Sequence, residues 1–163
     1  MKKLCLTIAA LSFSTAAMAD VSVVFREGAP KDRFTIENTG GCLLDGAIVT
    51  IDLSQSKAGL IFDVTEKGAG VEVFQPFELT SGASYLAEIP TVRDGDNKVS
   101  LVLGSLPQSK VISFTIDVDD TVNQREITVS GSEIQGAAVL LNAGGKMSSS
   151  TFGTNARATI GDC

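Results

Sequence analysis

Histidine and tryptophan are both absent from the 163 residues, and Tyr85 is the single tyrosine. Without histidine there is no Ser-His-Asp or Cys-His arrangement and no histidine metal ligand. The G-x-S-x-G, P-loop and dinucleotide patterns are missing as well. GAGVEV places glycines beside a predicted strand, but no helical segment follows to receive a phosphate. A glycosidase-type pair needs only carboxylates, and Asp117 with Glu126 or Glu133 is the pair on offer. Such clefts also use aromatic platforms, which this composition does not furnish. A carbohydrate-active hydrolase is therefore the alternative reading, and no catalytic residue is assigned.

Long apolar runs are lacking too. The longest begins the chain, where MKKLCLTIAALSFSTAAMA carries two lysines, an apolar stretch from Leu4 to about Phe13 and an A-x-A pattern at Ala17 and Ala19. This is the pattern of a bacterial secretory signal peptide cut after Ala19. It is well short of the roughly 20 residues that span a bilayer. Cys5 lies at the start of the apolar run, where a lipidated cysteine would follow it. Residues 20–163 then form one domain, exported to the periplasm or the medium.

Basic residues are also in deficit. Without Lys2 and Lys3, 11 basic residues face 19 acidic ones, a net charge of −8. Nucleic acid is not an expected partner, whereas solubility and divalent cations suit this balance. Cys42 and Cys163 remain after processing, an even count that suggests a disulfide in an exported chain. That bridge would tie down the terminal residue, whereas the alternative leaves free thiols or an intermolecular pair.

Helical periodicity is absent, and short alternating stretches take its place. Val21, Val23 and Phe25 open the series, and DRFTIEN follows a GAPKD turn. GAIVTIDL puts Ala47, Val49, Ile51 and Leu53 on one face. GLIFDV, GVEVFQPF, ASYLAEI, KVSLVLG, VISFTIDV, REITVSG, GAAVLLN and ARATIG continue the pattern, while AGGKMSSSTFGTN reads as a loop or mobile hairpin. About ten short strands at this spacing predict an all-β, antiparallel β-sandwich. VSVVFRE is short and β-prone, so Val21, Val23 and Phe25 are expected to offer a sheet edge to another chain.

FTIDVDDT sets three acids into the end of a strand. Alternation buries Ile112, Phe114, Ile116 and Val118 and places Ser113, Thr115, Asp117 and Asp119 on the opposite, polar face. Asp120 starts the next turn. Two readings stand. One is a solvated face, since repulsion at about 7 Å in water amounts to only about 0.6 kcal/mol. The other is a Ca²⁺ site drawing on Asp117, Asp119 and Asp120 with Asp94 and Asp96 from VRDGDNK, where Asn97, Asp63, Glu126 and Glu133 are further donors. RDGDNK lacks the EF-hand frame and reads first as an Asp-Gly hairpin turn.

NTGGCLLDGAIVTIDL and VSLVLGSLPQSKVISFTIDV together resemble bacterial immunoglobulin-like modules, in which an NTG turn and an L-P-x-G turn recur. Gln108 and Ser109 follow the proline here, so the usual glycine is missing. VVFREGAPKDRFTIEN, GLIFDVTEKGAGVEVFQPFEL, FTIDVDDT and REITVSGSEIQGA resemble small exported bacterial proteins labelled "aggregation factor core". That resemblance implies a calcium-dependent, extracellular adhesion or matrix role; for one small domain adhesion needs an oligomer or a second binding face, with a protein or cell-surface glycan as the expected partner. It brings no defined binding residues. The expected function is a non-enzymatic binding or adhesion domain, with Ca²⁺ as its one candidate cofactor.

Overall fold

The computed structural model describes residues 21–66, 74–122 and 129–161. The leader, Glu126 and Cys163 lie outside these residues. The first strands are β1 (Val21–Arg26), β2 (Asp32–Asn38), β3 (Leu44–Asp45), β4 (Ile48–Asp52), β5 (Ile61–Phe62) and β6 (Glu78–Ser81). They are followed by β7 (Lys98–Val102), β8 (Ser105–Leu106), β9 (Val111–Ile116) and β10 (Val118–Asp119). β11 (Ala138–Ala143), β12 (Lys146–Thr151) and β13 (Arg157–Ile160) complete the series. A five-stranded sheet runs β13-β1-β2-β9-β6 and a four-stranded sheet runs β12-β11-β4-β7. Every pairing is antiparallel, and β5 with β10 and β3 with β8 add short ladders. The protein is an antiparallel β-sandwich, as the alternation predicts.

Period-two alternation supplies the core from both sheets. Val49, Ile51, Leu101 and Val139 face Val23, Ile36, Ile112 and Ile116, all but fully buried. In the five-stranded sheet Phe25 stands opposite Phe34, and Phe34 opposite Phe114. Their ring centroids are 5.1 and 5.2 Å apart, and Phe77 stacks on Phe114 at 4.7 Å. Phe25, Phe34 and Phe114 lie wholly inside and Phe77 is partly buried at the end of the row, packed against the core.

Three expectations need correction, and a fourth is resolved between its two forms. β1 is not an edge: it lies between β13 and β2, and Val21, Val23 and Phe25 are buried. Its alternate residues are needed in the core, and both its backbone sides are paired. ASYLAEI forms a 3-10 turn at Ala83–Tyr85 and then a single bridge from Leu86 to Leu103. Left-handed Gly82 (φ 82°) redirects the chain before any strand can extend. RDGDNK is a turn entering β7 and does not join two paired strands. Of the two forms expected for AGGKMSSSTFGTN, loop or hairpin, it takes the hairpin: its strand β12 is joined to β11 through Gly144 and Gly145 at φ 58° and 82°. Two successive positive φ values suit the twist of a two-residue hairpin.

The two turn motifs meet around Asn38, which is fully buried. Its side-chain amide donates to the carbonyls of Cys42 and Leu106, both at 2.8 Å, and its Oδ1 accepts the Gly40 N–H. Its main chain binds Ser109 and Lys110 across the Leu-Pro turn. Ser109 has φ 59°, so the position where the resembling modules carry glycine does take the left-handed conformation.

Candidate functional site

Every residue from Ile112 to Asp120 is buried, on both faces of the strand. The expectation of a solvated polar face is therefore overturned. Thr115 lies between Arg33 of β2 and Glu78 of β6, whose long side chains cover it. Its Oγ1 is buried with no hydrogen-bond partner. Asp117, Asp119 and Asp120 retain only 5, 3 and 6% of their surface.

Asp117 and Asp119 share one end of the sandwich with three acids from other elements. Asp63 follows β5, and its N–H donates to the Asp117 carbonyl at 3.1 Å. Asp32 opens β2, and its carboxylate accepts the Gly28 N–H at 3.0 Å and the Val118 N–H at 3.2 Å. Asp94 is held by accepting the N–H groups of Val64 and Thr65 at 2.9 and 3.0 Å. The β5–β10 ladder and the Gly95 N–H to Phe62 carbonyl bond fix these segments together.

Electrostatics here are those of negative charge crowded out of water. Burial, with the nearby Asp117 and Asp119 charges, pushes Asp32 up to about 8 against two N–H bonds that lower it. Burial, the Asp94 carboxyl and the Asp119 charge push Asp63 up to about 7. Asp117 is pushed to about 7 by burial first and Asp119 second. Asp63 is fully buried, yet neither of its carboxylate oxygens receives a hydrogen bond. Its neighbours Asp94 and Asp119 are acids, able to donate only while they hold a proton. Asp63 thus holds a buried carboxyl with no donor among the described residues, which is costly whenever it is charged.

Among the described residues no three acidic or cysteine side chains converge as a set of metal ligands would. A cation here would have to draw the carboxylates inward by side-chain rotation. Asp96 is turned away to its own loop, accepting the Arg93 N–H at 2.8 Å. Glu133 caps the Ser130 N–H and does not figure among the groups perturbing Asp117. The structure thus brings together Asp117, Asp119, Asp63 and Asp94. It adds Asp32, which the sequence reading placed in a turn. A signal for Asp32 was present: it shares the alternation of Phe34 and Ile36 and so points inward at the strand's end.

No protein-family model and no curated protein matches this chain. Among solved structures it is similar to carbohydrate-binding module CBM3b from the cellulosomal cellobiohydrolase 9A of Clostridium thermocellum, at 16% identity and a TM-score of 0.38. That match covers 78% of this chain and 94% of the module. Biomass-sensing modules from Rsgi-like proteins of the same organism match at 14% identity and TM-score 0.36, covering 80% of this chain and 96% of theirs. A family GH18 chitinase from Chromobacterium violaceum matches at 13% identity and TM-score 0.39, over 82% of this chain and 19% of the chitinase. Likeness at this level assigns no ligand. Among the described residues no helix is long and apolar enough to cross a membrane.

Proposed function

We propose that this protein is an exported, non-enzymatic binding β-sandwich, braced at one end by Ca²⁺, that works in the periplasm or at the cell surface. The observation that carries the calcium reading is Asp63, fully buried, with neither carboxylate oxygen hydrogen-bonded and further acids beside it. Carboxylate oxygens are the donors a hard cation prefers, and Ca²⁺ tolerates irregular geometry better than Mg²⁺. Asp63, Asp94 and Asp119 would hold the ion, with Asp117 and Asp32 adding negative charge nearby. Binding it would remove the repulsion among the acids gathered at this corner.

Burial of the acids also argues for a non-enzyme. Asp117, Asp119 and Asp120 are almost closed to solvent, so a sugar ring cannot reach them. Glu133, the partner available to Asp117, is occupied in its own turn. The test is thermal unfolding in EDTA and in millimolar Ca²⁺. A ligand that binds only the folded state adds about 2.7 kcal/mol at a hundred times its dissociation constant. That corresponds to a rise of several degrees in a domain of this size. An unchanged Tm would remove calcium from the account.

A further inference from the structure

We propose that the outer face of the five-stranded sheet, centred on Arg26, Arg33 and Arg157, binds a linear polysaccharide bearing carboxylate or sulfate groups. This rests on the binding-module reading and is independent of the calcium brace. The chain has five arginines, and three of them surround one shallow depression of about 310 Å³ with Val24, Thr35 and Glu37. Arg26 and Arg33 stand directly opposite one another on β1 and β2. Side chains so placed have Cβ atoms about 4.5–5.5 Å apart, and like charges there repel. Arg157 pairs with Val24 and so sits diagonally from Arg26 on the third strand.

Among the described residues no carboxylate lies within ion-pair distance of these three guanidinium groups. Both ion pairs seen there, Lys31–Glu78 and Lys98–Asp52, are formed by lysines. Hydroxyls flank the arginines instead: Arg33 donates to Thr80 at 3.0 Å and Arg157 donates to Ser22. Three arginines sharing a depression with a single carboxylate, Glu37, on a chain of net charge −6 are a local reversal of sign. Guanidinium forks match carboxylate and sulfate oxygens in pairs, and a bound anion would offset the cross-strand repulsion. The open face suits an extended polymer, with hydroxyls to meet sugar hydroxyls. Phe25, Phe34 and Phe114 all point inward, so the strands carrying the arginines offer no such ring for a nucleobase to stack on.

The test titrates the purified protein, at low salt, with polygalacturonate, dextran sulfate, neutral dextran and a single-stranded oligonucleotide. Binding to polygalacturonate, dextran sulfate or both is expected, with none to neutral dextran. The preferred polymer then distinguishes carboxylate from sulfate. The Arg26→Gln, Arg33→Gln double variant should bind roughly tenfold more weakly or worse, as should Arg157→Gln. The double variant relieves a repulsion, so it should keep its fold and its Tm response to Ca²⁺. No binding to either anionic polysaccharide, undiminished binding by the variants, or equal affinity for the oligonucleotide would overturn the proposal. Loss of the Ca²⁺ response alone, with polymer binding intact, would count against the brace and leave this surface standing.

Discussion

Asp63 concentrates the electrostatic problem of the acidic end in one side chain. Its replacement by Asn removes a buried charge and supplies an N–H donor to the neighbouring carboxylates. In EDTA at alkaline pH the Asp63→Asn protein should be more stable than the wild type by roughly 1–3 kcal/mol, and Ca²⁺ should no longer raise its Tm. Chemical denaturation with and without Ca²⁺ measures both effects. Asn38 is the opposite case, a buried polar group whose partners are all in place. Asn38→Ala would leave the Leu106 carbonyl and the Gly40 N–H unpaired in the interior and the Cys42 carbonyl unpaired at its margin, a loss of roughly 2–3 kcal/mol in the same measurement. At Ser109 the left-handed backbone penalises any side chain by about 1–2 kcal/mol, while glycine loses about 0.5–1 kcal/mol more chain entropy. Ser109→Gly should therefore stabilise the protein by up to about 1 kcal/mol. A drop in Tm would show that serine contributes there in some other way.

Elements test these ideas more broadly. β6 enters its pairing with β9 through a register shift between Leu79 and Ser81, followed by Gly82. A Cβ at Gly82 would lie 2.6 Å from the Val111 carbonyl oxygen and 2.8 Å from the Ile112 Cα. Backbone cannot yield as a side-chain tip can, so Gly82→Ala should detach β6 and expose Phe77 and Phe114, seen as dye binding at temperatures where the wild type is closed. The corner where β2, β5 and β10 meet should titrate as a unit in the metal-free protein. Asp32, Asp63 and Asp117 have folded-state values near 8, 7 and 7 against 3.8 unfolded, so the native state holds protons that the unfolded chain releases. Their contribution is complete below about pH 4 and is lost as pH rises through 7 and 8. Tm in EDTA should fall steadily from pH 5 to pH 9, and Ca²⁺ should flatten that fall. Alternation made the long strands legible: GAIVTIDL, DRFTIEN, KVSLV and VISFTI needed nothing beyond a period of two. Segments directed by single backbone positions were not, because Gly82 and the paired glycines at 144 and 145 act through φ alone. The acidic corner was half legible. Asp117, Asp119 and Asp94 stand out in the sequence, but alternation gives two faces and cannot say that both are covered.

At the scale of the molecule, the Cys42–Cys163 bridge is still a proposal, since Cys163 lies outside the described residues. Cys42 ends the turn anchored by Asn38. Closing a loop of that length would stabilise the protein by roughly 4–5 kcal/mol in the chain-entropy model. Titration of the denatured, unreduced protein with a thiol reagent should find no free thiol, and reduction should lower Tm well beyond any single substitution above. A thiol count of two in the unreduced chain would remove the bridge. Sequence could not show that the two ends of the domain meet, because no local pattern encodes which strand lies beside which.

They do meet: β1, the first strand, is hydrogen-bonded along its length to β13, the last. The larger sheet therefore cannot close until the whole polypeptide is available, and a partly emerged chain has a gap where its final strand belongs. Pairings of such long sequence separation form slowly. For the exported chain proposed above, crossing the membrane as an extended thread, premature collapse of the early strands would find no complete sheet to join.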